Sequence, residues 1–284
     1  MHAFLIVNPS SGNGGSDELL AAARERGIET HVLGDGDDLA ELARTAQADA
    51  LAMAGGDGSL AVVAGVALER NLPFACIPFG TRNHFARDVG LDRDDPIGAL
   101  DALVDGREIR IDVGRANERL FLNNVSLGVY GEAVRQAGYR DTKVRTMAET
   151  ARRVLGPSGR IPAMRVVDDT GREHARLAVL LVSNNPYALN GPGLGTRPTL
   201  ASGQLGILVI DTPEERPHPP GRAWSAPHLE VQAPAAVHAG IDGEAVELVA
   251  PLTFGARPGA LRVRISARHR GASPAARTPS PSSR

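Results

Sequence analysis

Residues 50–69 read ALAMAGGDGSLAVVAGVALE, and this stretch decides the fold. ALAMA is a short apolar run, which is typical of a strand buried on both faces of a sheet. GGDGS then predicts a loop, and LAVVAGVALER predicts a helix. A buried strand that leads through a glycine-rich loop into a helix is the repeating unit of an α/β protein with a parallel sheet.

The same order of elements continues on both sides of this stretch. AFLIV at 3–7 predicts a strand, and the loop and helix that follow it end at Gly27. IETHVL and FACIP predict further strands, and DDLAELARTA and NHFARDVG predict further helices. We therefore predict an N-terminal, Rossmann-like three-layer α/β domain with a parallel sheet over residues 1–117.

The pattern changes after about residue 105 to short apolar or alternating runs such as REIRIDVGRA, EHARLAVLLVS and LRVRISA. Turn residues separate them, which predicts a C-terminal antiparallel, β-rich, sandwich-like domain over residues 118–269. One amphipathic helix is predicted at 142–155. Residues 213–227, PEERPHPPGRAWSAP, are predicted to form a Pro-rich loop, and residues 270–284 a disordered tail.

Composition excludes several classes of protein. Of the 284 residues 42% are hydrophobic and 23% charged, so the chain can bury a core and is not disordered as a whole. Its single cysteine, Cys76, excludes a disulfide framework within the chain and a cysteine-based zinc site. No stretch reaches the ~18–20 apolar residues of a membrane span, and the N-terminus does not resemble a signal peptide. We expect a cytoplasmic protein.

The charges are unevenly distributed although the net charge is only −2. Residues 255–284 contain seven arginines and no acidic residue, and residues 135–165 contain seven arginines and Lys143, the one lysine of the chain. Aromatic residues make up only 4%, whereas nucleic-acid binders are usually basic overall with interleaved aromatics. We therefore expect no nucleic-acid partner.

Three glycine-rich loops each follow a predicted strand of the first domain: NPSSGNGG (8–15), GGDGS (55–59) and PFGTRN (78–83). Ligands of open parallel sheets bind beyond the carboxyl ends of the strands, where glycine lets backbone N–H groups approach a phosphate. The loops therefore predict a phosphate or nucleotide site. Neither a GK[ST] loop nor a GxGxxG opening of the first helix is present, which disfavours P-loop NTPases and Rossmann dehydrogenases.

Two carboxylates are candidates for chemistry. Asp57, between glycines, could hold Mg²⁺ through water or accept a proton from an attacking hydroxyl. The alternative is an Asx-turn or a cap of the helix that follows it. Glu244 follows an Asp-Gly turn, and by pattern alone it is a charge in a hairpin.

The motifs NPSSG, GGDGS, PFGTRNHFAR, FLNNVSLG and IDGE occur in the order seen in the diacylglycerol kinase-like lipid kinases, and the resemblance covers about residues 3–268. It implies an ATP-dependent lipid kinase that uses Mg²⁺ and acts on a lipid substrate at a membrane surface, with diacylglycerol as the default acceptor and peripheral membrane contact. The resemblance leaves both a monomer and a homodimer open. The alternatives are an NAD kinase-like or other small-molecule kinase, which shares the GGDG loop, and a catalytically weak nucleotide- or lipid-binding protein.

The resemblance also implies roles for individual residues. Asp57 and Glu244 would be catalytic, with Asp57 also a metal ligand, and which of the two removes the proton stays open. Residues 201–203, Ala-Ser-Gly, lack the acidic residues that some members use for a second metal, so we expect that metal site to be absent or degraded. The residues implied in ATP binding are Asn8, Pro9, Ser10, Gly12, Gly55, Gly56, Asp57, Gly58, Ser59, Thr81, Asn83 and Lys143.

Overall fold

The chain forms two compact units, one of them built from three separate pieces of sequence. The first contains residues 1–112, residues 187–202 and the chain from 258 onward, and the second contains residues 113–186 and 203–257. The computed structural model describes residues 1–11, 14–80, 83–128, 163–175, 177–190, 193–211 and 221–276.

The first unit is built on a mainly parallel sheet. Its elements are β1 (Ala3–Val7), α1 (Ser16–Glu25), β2 (Glu29–Val32), α2 (Leu39–Thr45), β3 (Ala50–Gly55), α3 (Asp57–Glu69), β4 (Phe74–Pro78), α4 (His84–Val89), α5 (Pro96–Ala99), β5 (Arg107–Ala116) and β16 (Leu252–Ile265). The strand order is β2-β1-β3-β4-β16-β5. Strands β2, β1, β3 and β4 are parallel, and β16 runs parallel to β4.

Helices cover both faces of this sheet. Every residue of β1, β3 and β4 is buried, as their continuous apolar runs predict. Leu5 and Ile77 point to the face covered by α1 and α5. Phe74 points to the opposite face, where its ring lies 6.4 Å from that of Phe85 in α4. The predicted three-layer α/β architecture is therefore confirmed. Among the described residues, no helix has both the length and the apolar composition needed to cross a bilayer.

The second unit is antiparallel. Its further strands are β6 (Arg119–Phe121), β7 (Asn124–Gly128), β8 (Val166–Val167), β9 (Glu173–His174), β10 (Leu177–Asn184), β11 (Leu205–Asp211), β12 (Gly221–Ala226), β13 (His228–Val231), β14 (Val237–Ile241) and β15 (Glu244–Leu248). One sheet has the order β12-β11-β10-β7-β14-β15. Leu127 and Leu180 of this sheet share a core with Leu229 of β13 and Phe254 of β16. The antiparallel, sandwich-like prediction is confirmed.

One local prediction is wrong. Residues 221–226 were predicted to lie in a Pro-rich loop, but they form β12, which pairs with β11 over its whole length. Four of the five prolines of residues 213–227 precede this strand and Pro227 follows it, and the side chain of Trp224 packs against the core of the second unit. The helix predicted at 142–155 lies outside the described residues.

The last part of the chain belongs with the first unit, although the predicted division places residues 118–269 in the second domain. Strand β16 contributes its first half to the second unit and pairs Val263 with Phe74 of β4 in the first. Beyond it, the backbone N–H of Gly271 donates to the Gly90 carbonyl at 3.0 Å, and Ser273 is buried. Of the predicted tail, residues 277–284 lie outside the described residues.

Candidate active site

The three glycine-rich loops meet at one edge of the first sheet. Asn8 follows the end of β1, Gly55 ends β3, and Pro78 ends β4. Since these strands are parallel and β3 pairs with both of the others, their carboxyl ends lie side by side. The structure thus brings together the loops that the sequence predicted to share one site.

Direct contacts join the first two loops. The backbone N–H of Asn8 donates to the Ala54 carbonyl at 2.9 Å, and its Nδ2 donates to Ser59 Oγ at 3.5 Å. Its Oδ1 accepts from the backbone N–H of Ser10 at 3.0 Å. A Cβ on Gly55 would lie 2.7 Å from Met53 Cε and 3.3 Å from Ser59 Cβ, so a larger residue would have to displace the end of the Met53 side chain. Asn8 therefore organises two loops at once.

The third loop is closed by Asn83 and touches the second. Asn83 adopts a left-handed conformation with φ 40°. Its Oδ1 accepts from the Gly80 N–H at 3.1 Å, and its Nδ2 donates to the Gly80 carbonyl at 2.6 Å. A Cβ on Gly80 would lie 3.1 Å from Gly56 Cα, so the backbones of the two loops are in contact. Asn83 is buried and shapes the loop, and a direct contact between Asn83 and a nucleotide stays a prediction.

Asp57 begins α3, but its carboxylate binds the start of α4. Oδ2 accepts from the backbone N–H of His84 at 3.2 Å, and Oδ1 accepts from that of Phe85 at 3.1 Å. The first N–H groups of a helix have no partner within it, so Asp57 supplies what α4 lacks. The alternative considered from the sequence, a side-chain cap of the helix that follows Asp57, is absent, because α3 has no side-chain cap. Asp57 caps α4 instead.

The Asp57 carboxylate keeps room for a ligand. An ionised carboxylate has about four lone-pair positions, and the two backbone donors occupy two of them. The described residues contain no group of three His, Cys, Asp or Glu side chains that could form a metal cage. Mg²⁺ bound together with nucleotide phosphates needs only one or two protein carboxylates, and Asp57 fits that requirement.

Cys76 lies in β4 and is not a nucleophile. It is buried, and burial raises the pKa of its thiol well above the usual range, with a smaller contribution from the charge of Asp57. The thiol is therefore neutral, since the reactive form is the thiolate. Cys76 is the small core residue that its apolar strand predicted.

Glu244 stands at the start of β15, directly after the turn that joins it to β14. The turn residues Asp242 and Gly243 both have positive φ, 49° and 91°, as a two-residue hairpin turn requires. The Glu244 side chain is exposed, and no hydrogen bond or ion pair to another described residue engages it. Its carboxylate is therefore open to solvent.

Asp242 was not predicted as a functional residue, yet it anchors this hairpin. Its buried carboxylate accepts backbone N–H groups of Leu122 at 2.7 Å, Asn123 at 2.8 Å and Asn124 at 3.0 Å. Such bonds to a charged acceptor are stronger than neutral ones and fix the turn that carries Glu244. The Asp-Gly pair signalled a turn, but nothing local signalled its partners about 120 residues away.

The predicted site residues thus fall into three groups. The first group comes together in the first unit and consists of Asn8, Gly55, Asp57, Ser59 and Asn83. Gly56 and Gly58 lie beside Asp57, and Pro9 and Ser10 lie in the short 3-10 helix after β1. Glu244 belongs to the second unit. Gly12, Thr81 and Lys143 lie outside the described residues.

The fold and the three loops define the class of protein. It is an α/β protein that carries three glycine-rich loops at one sheet edge and has a second, antiparallel unit. A crystal structure of a diacylglycerol kinase from Bacillus anthracis str. Sterne has this fold, with a TM-score of 0.65 at 17% identity, covering 94% of this chain and 98% of that one. At this identity the similarity establishes the fold alone.

The family follows from sequence comparison. Residues 2–116 match the model of the diacylglycerol kinase catalytic domain. Diacylglycerol kinases of Staphylococcus epidermidis and Staphylococcus aureus are 32% and 31% identical to this chain over 177 residues. That region is 58% of this chain and 55% of each relative, so the chain spans about half the length of the curated relatives it matches. The match over residues 2–116 confirms the resemblance to the diacylglycerol kinases for this part of the chain.

Proposed function

We propose that this chain is an ATP-dependent lipid kinase that transfers the γ-phosphoryl group of ATP to a lipid hydroxyl, with diacylglycerol as the default acceptor. One observation carries the proposal: the segment that matches the diacylglycerol kinase catalytic domain holds three glycine-rich loops at one sheet edge, and the first and the third each contact the second. The membrane-embedded acceptor implies peripheral contact with a lipid surface.

The loops bind the phosphates of ATP. Gly55 and Gly56 allow the backbone N–H groups of the second loop to approach phosphate oxygens without interference from a Cβ. Helix α3 begins at this loop and adds the partial positive charge of its N-terminus. Asn8 and Ser59 keep the first and second loops together while the phosphates are bound.

The two carboxylates have different tasks. Asp57 is oriented by α4 and would hold Mg²⁺, which neutralises charge on the transferring phosphoryl group when it is bound with ATP. Glu244 is exposed on an anchored hairpin and accepts the proton of the lipid hydroxyl as the general base. Asp242 acts through the turn and does not itself take part in proton transfer.

Transfer from radiolabelled ATP tests the proposal. The acceptors are diacylglycerol, a sphingoid base, ceramide, phosphatidylglycerol and NAD, with one reaction that lacks an acceptor. We expect label in a lipid, with diacylglycerol the best acceptor. Label in NAD alone would support an NAD kinase-like enzyme. ATP binding without transfer to any acceptor would support a catalytically weak binding protein, and either result would overturn the proposal.

A further inference from the structure

Helix α4 follows the third glycine-rich loop directly, so any contact that holds α4 also holds that loop. Asp57 binds the first turn of α4 through the backbone N–H groups of His84 and Phe85. Asn83, the residue before α4, closes the loop onto Gly80. A displacement of α4 would therefore disturb both the loop and the Asp57 carboxylate.

The other end of α4 carries a buried ion pair. Arg197 Nε donates to Asp88 Oδ2 at 2.7 Å, and the two side chains are 0% and 1% exposed. Charges at this depth have lost their hydration, so each depends on compensating partners. Asp88 also pairs with Arg87 Nε at 3.4 Å, and the Arg197 guanidinium lies 5.9 Å from the centre of the Tyr187 ring. The pair therefore restricts the position of α4 relative to the chain around Arg197.

Arg197 lies in residues 187–202, a segment between β10 and β11 that belongs to the first unit. The segment is folded on itself, since the Thr196 N–H donates to the Gly193 carbonyl and the Gly195 N–H donates to the Ala188 carbonyl, both at 2.9 Å. It makes a second bond to α4, in which Arg87 Nη2 donates to the Gly195 carbonyl at 2.7 Å. The described residues of this segment, 187–190 and 193–202, thus hold α4 through two of its side chains.

We propose that Arg197 is a positioning residue of the phosphoryl-transfer site, which acts through Asp88 and α4 on the third glycine-rich loop and on Asp57. This inference rests on the proposed function, because it assumes that ATP binds at these loops. The Arg197 side chain is fully buried, so its effect on ATP is indirect.

The test separates positioning from stability by using neutral replacements. The variants are Arg197→Met, Arg197→Lys and the double variant Arg197→Met with Asp88→Asn. Removal of one charge destabilises the fold because the other remains buried, whereas removal of both relieves that penalty. For each variant we would measure thermal unfolding, the ATP dissociation constant by calorimetry, kcat for the lipid, and hydrogen–deuterium exchange of residues 83–90.

We expect the double variant to unfold close to the wild-type temperature and still to bind ATP more weakly. Its kcat should fall by about 10- to 100-fold, the scale expected when reacting groups are displaced by an ångström. Exchange over residues 83–90 should increase. Arg197→Lys should restore ATP affinity only in part, because an ammonium lacks the planar geometry of the guanidinium. The control is Arg44→Met, which removes an exposed ion pair with Glu41 on α2 and should change none of these quantities.

Recovery of ATP affinity together with stability in the double variant would show that the pair serves the fold alone and would overturn the inference. Unchanged exchange over residues 83–90 would overturn it as well. The proposed function fails separately, if the wild type transfers no phosphate to a lipid. ATP affinity and exchange would then still decide the role of Arg197, whereas a wild type that bound no ATP would overturn the inference together with the proposed function.

Discussion

Asp57 joins two requirements in one side chain, because the carboxylate that is proposed to hold Mg²⁺ also caps α4. Each of its oxygens accepts one backbone N–H, so the carboxylate has a defined orientation before any ligand binds. An asparagine at this position would present an amide donor toward one of these N–H donors. Charge and orientation are therefore lost together.

We predict that Asp57→Asn lowers kcat by at least ~10²-fold, the low end of what a catalytic or metal-binding carboxylate contributes. Circular dichroism should show an intact fold. Asp38→Asn is the control, since the Asp38 carboxylate also caps a helix, accepting the N–H groups of Ala40 and Glu41 of α2 at its Oδ1. Asparagine is nearly as good a cap as aspartate, so that variant should keep wild-type turnover. Near-normal turnover of folded Asp57→Asn would refute the assignment.

At the scale of elements, the short hairpin of β8 and β9 is organised by a buried carboxylate. Burial raises the pKa of Asp168, but hydrogen bonds from the Thr170 hydroxyl, from His174 and from the backbone N–H groups of Thr170 and Arg172 outweigh it and hold that pKa well below its usual range. Arg222 Nε of β12 lies 2.6 Å from the same carboxylate. The ionised form is therefore favoured in the folded state.

The lowered pKa of Asp168 determines how the stability of the folded protein changes in acid. Because the folded pKa of Asp168 lies below the unfolded value of about 3.9, its contribution is complete above about pH 4 and is lost as the pH falls further. We predict that Asp168→Asn lowers the unfolding temperature at neutral pH and that the difference from wild type shrinks between about pH 4 and pH 2.5. Asp169→Asn, at the half-exposed neighbour, should keep the wild-type pH dependence. A difference that is constant with pH would contradict the argument.

At the scale of the whole molecule, the uneven charge predicts a response to anionic membranes. The arginines of residues 255–284 include Arg257, Arg268 and Arg270, whose side chains are exposed. Basic groups near a negatively charged bilayer are attracted to it, and salt screens that attraction.

We predict that sedimentation of the protein with vesicles increases with the fraction of anionic lipid and weakens in high salt. Removal of residues 277–284 takes away only Arg277 and Arg284 and should have a small effect. Vesicle binding that ignores both lipid charge and salt would show that the basic segments are ordinary solvated surface.

The sequence was sufficient for the features that depend on near neighbours along the chain. The apolar runs of β1, β3 and β4 predicted buried strands, and the glycines after them predicted close-fitting loops, because these patterns repeat within a few residues. The rule for parallel sheets then placed the three loops at one edge. The role proposed for Glu244 rests on the family resemblance, since an exposed charge after a turn carries no local signal of a function.

Only the tertiary structure decided which polar groups meet. Asp57 caps a helix 27 residues away, Arg197 pairs with Asp88 across 109 residues, and Asp242 holds backbone groups about 120 residues earlier. The second half of β16 likewise belongs to the first unit, although the residues that precede it in sequence belong to the second. A buried polar group needs a hydrogen-bond or ion-pair partner. Which group becomes that partner depends on how the apolar elements pack, because packing brings distant residues together, and no pattern in the neighbouring residues specifies it.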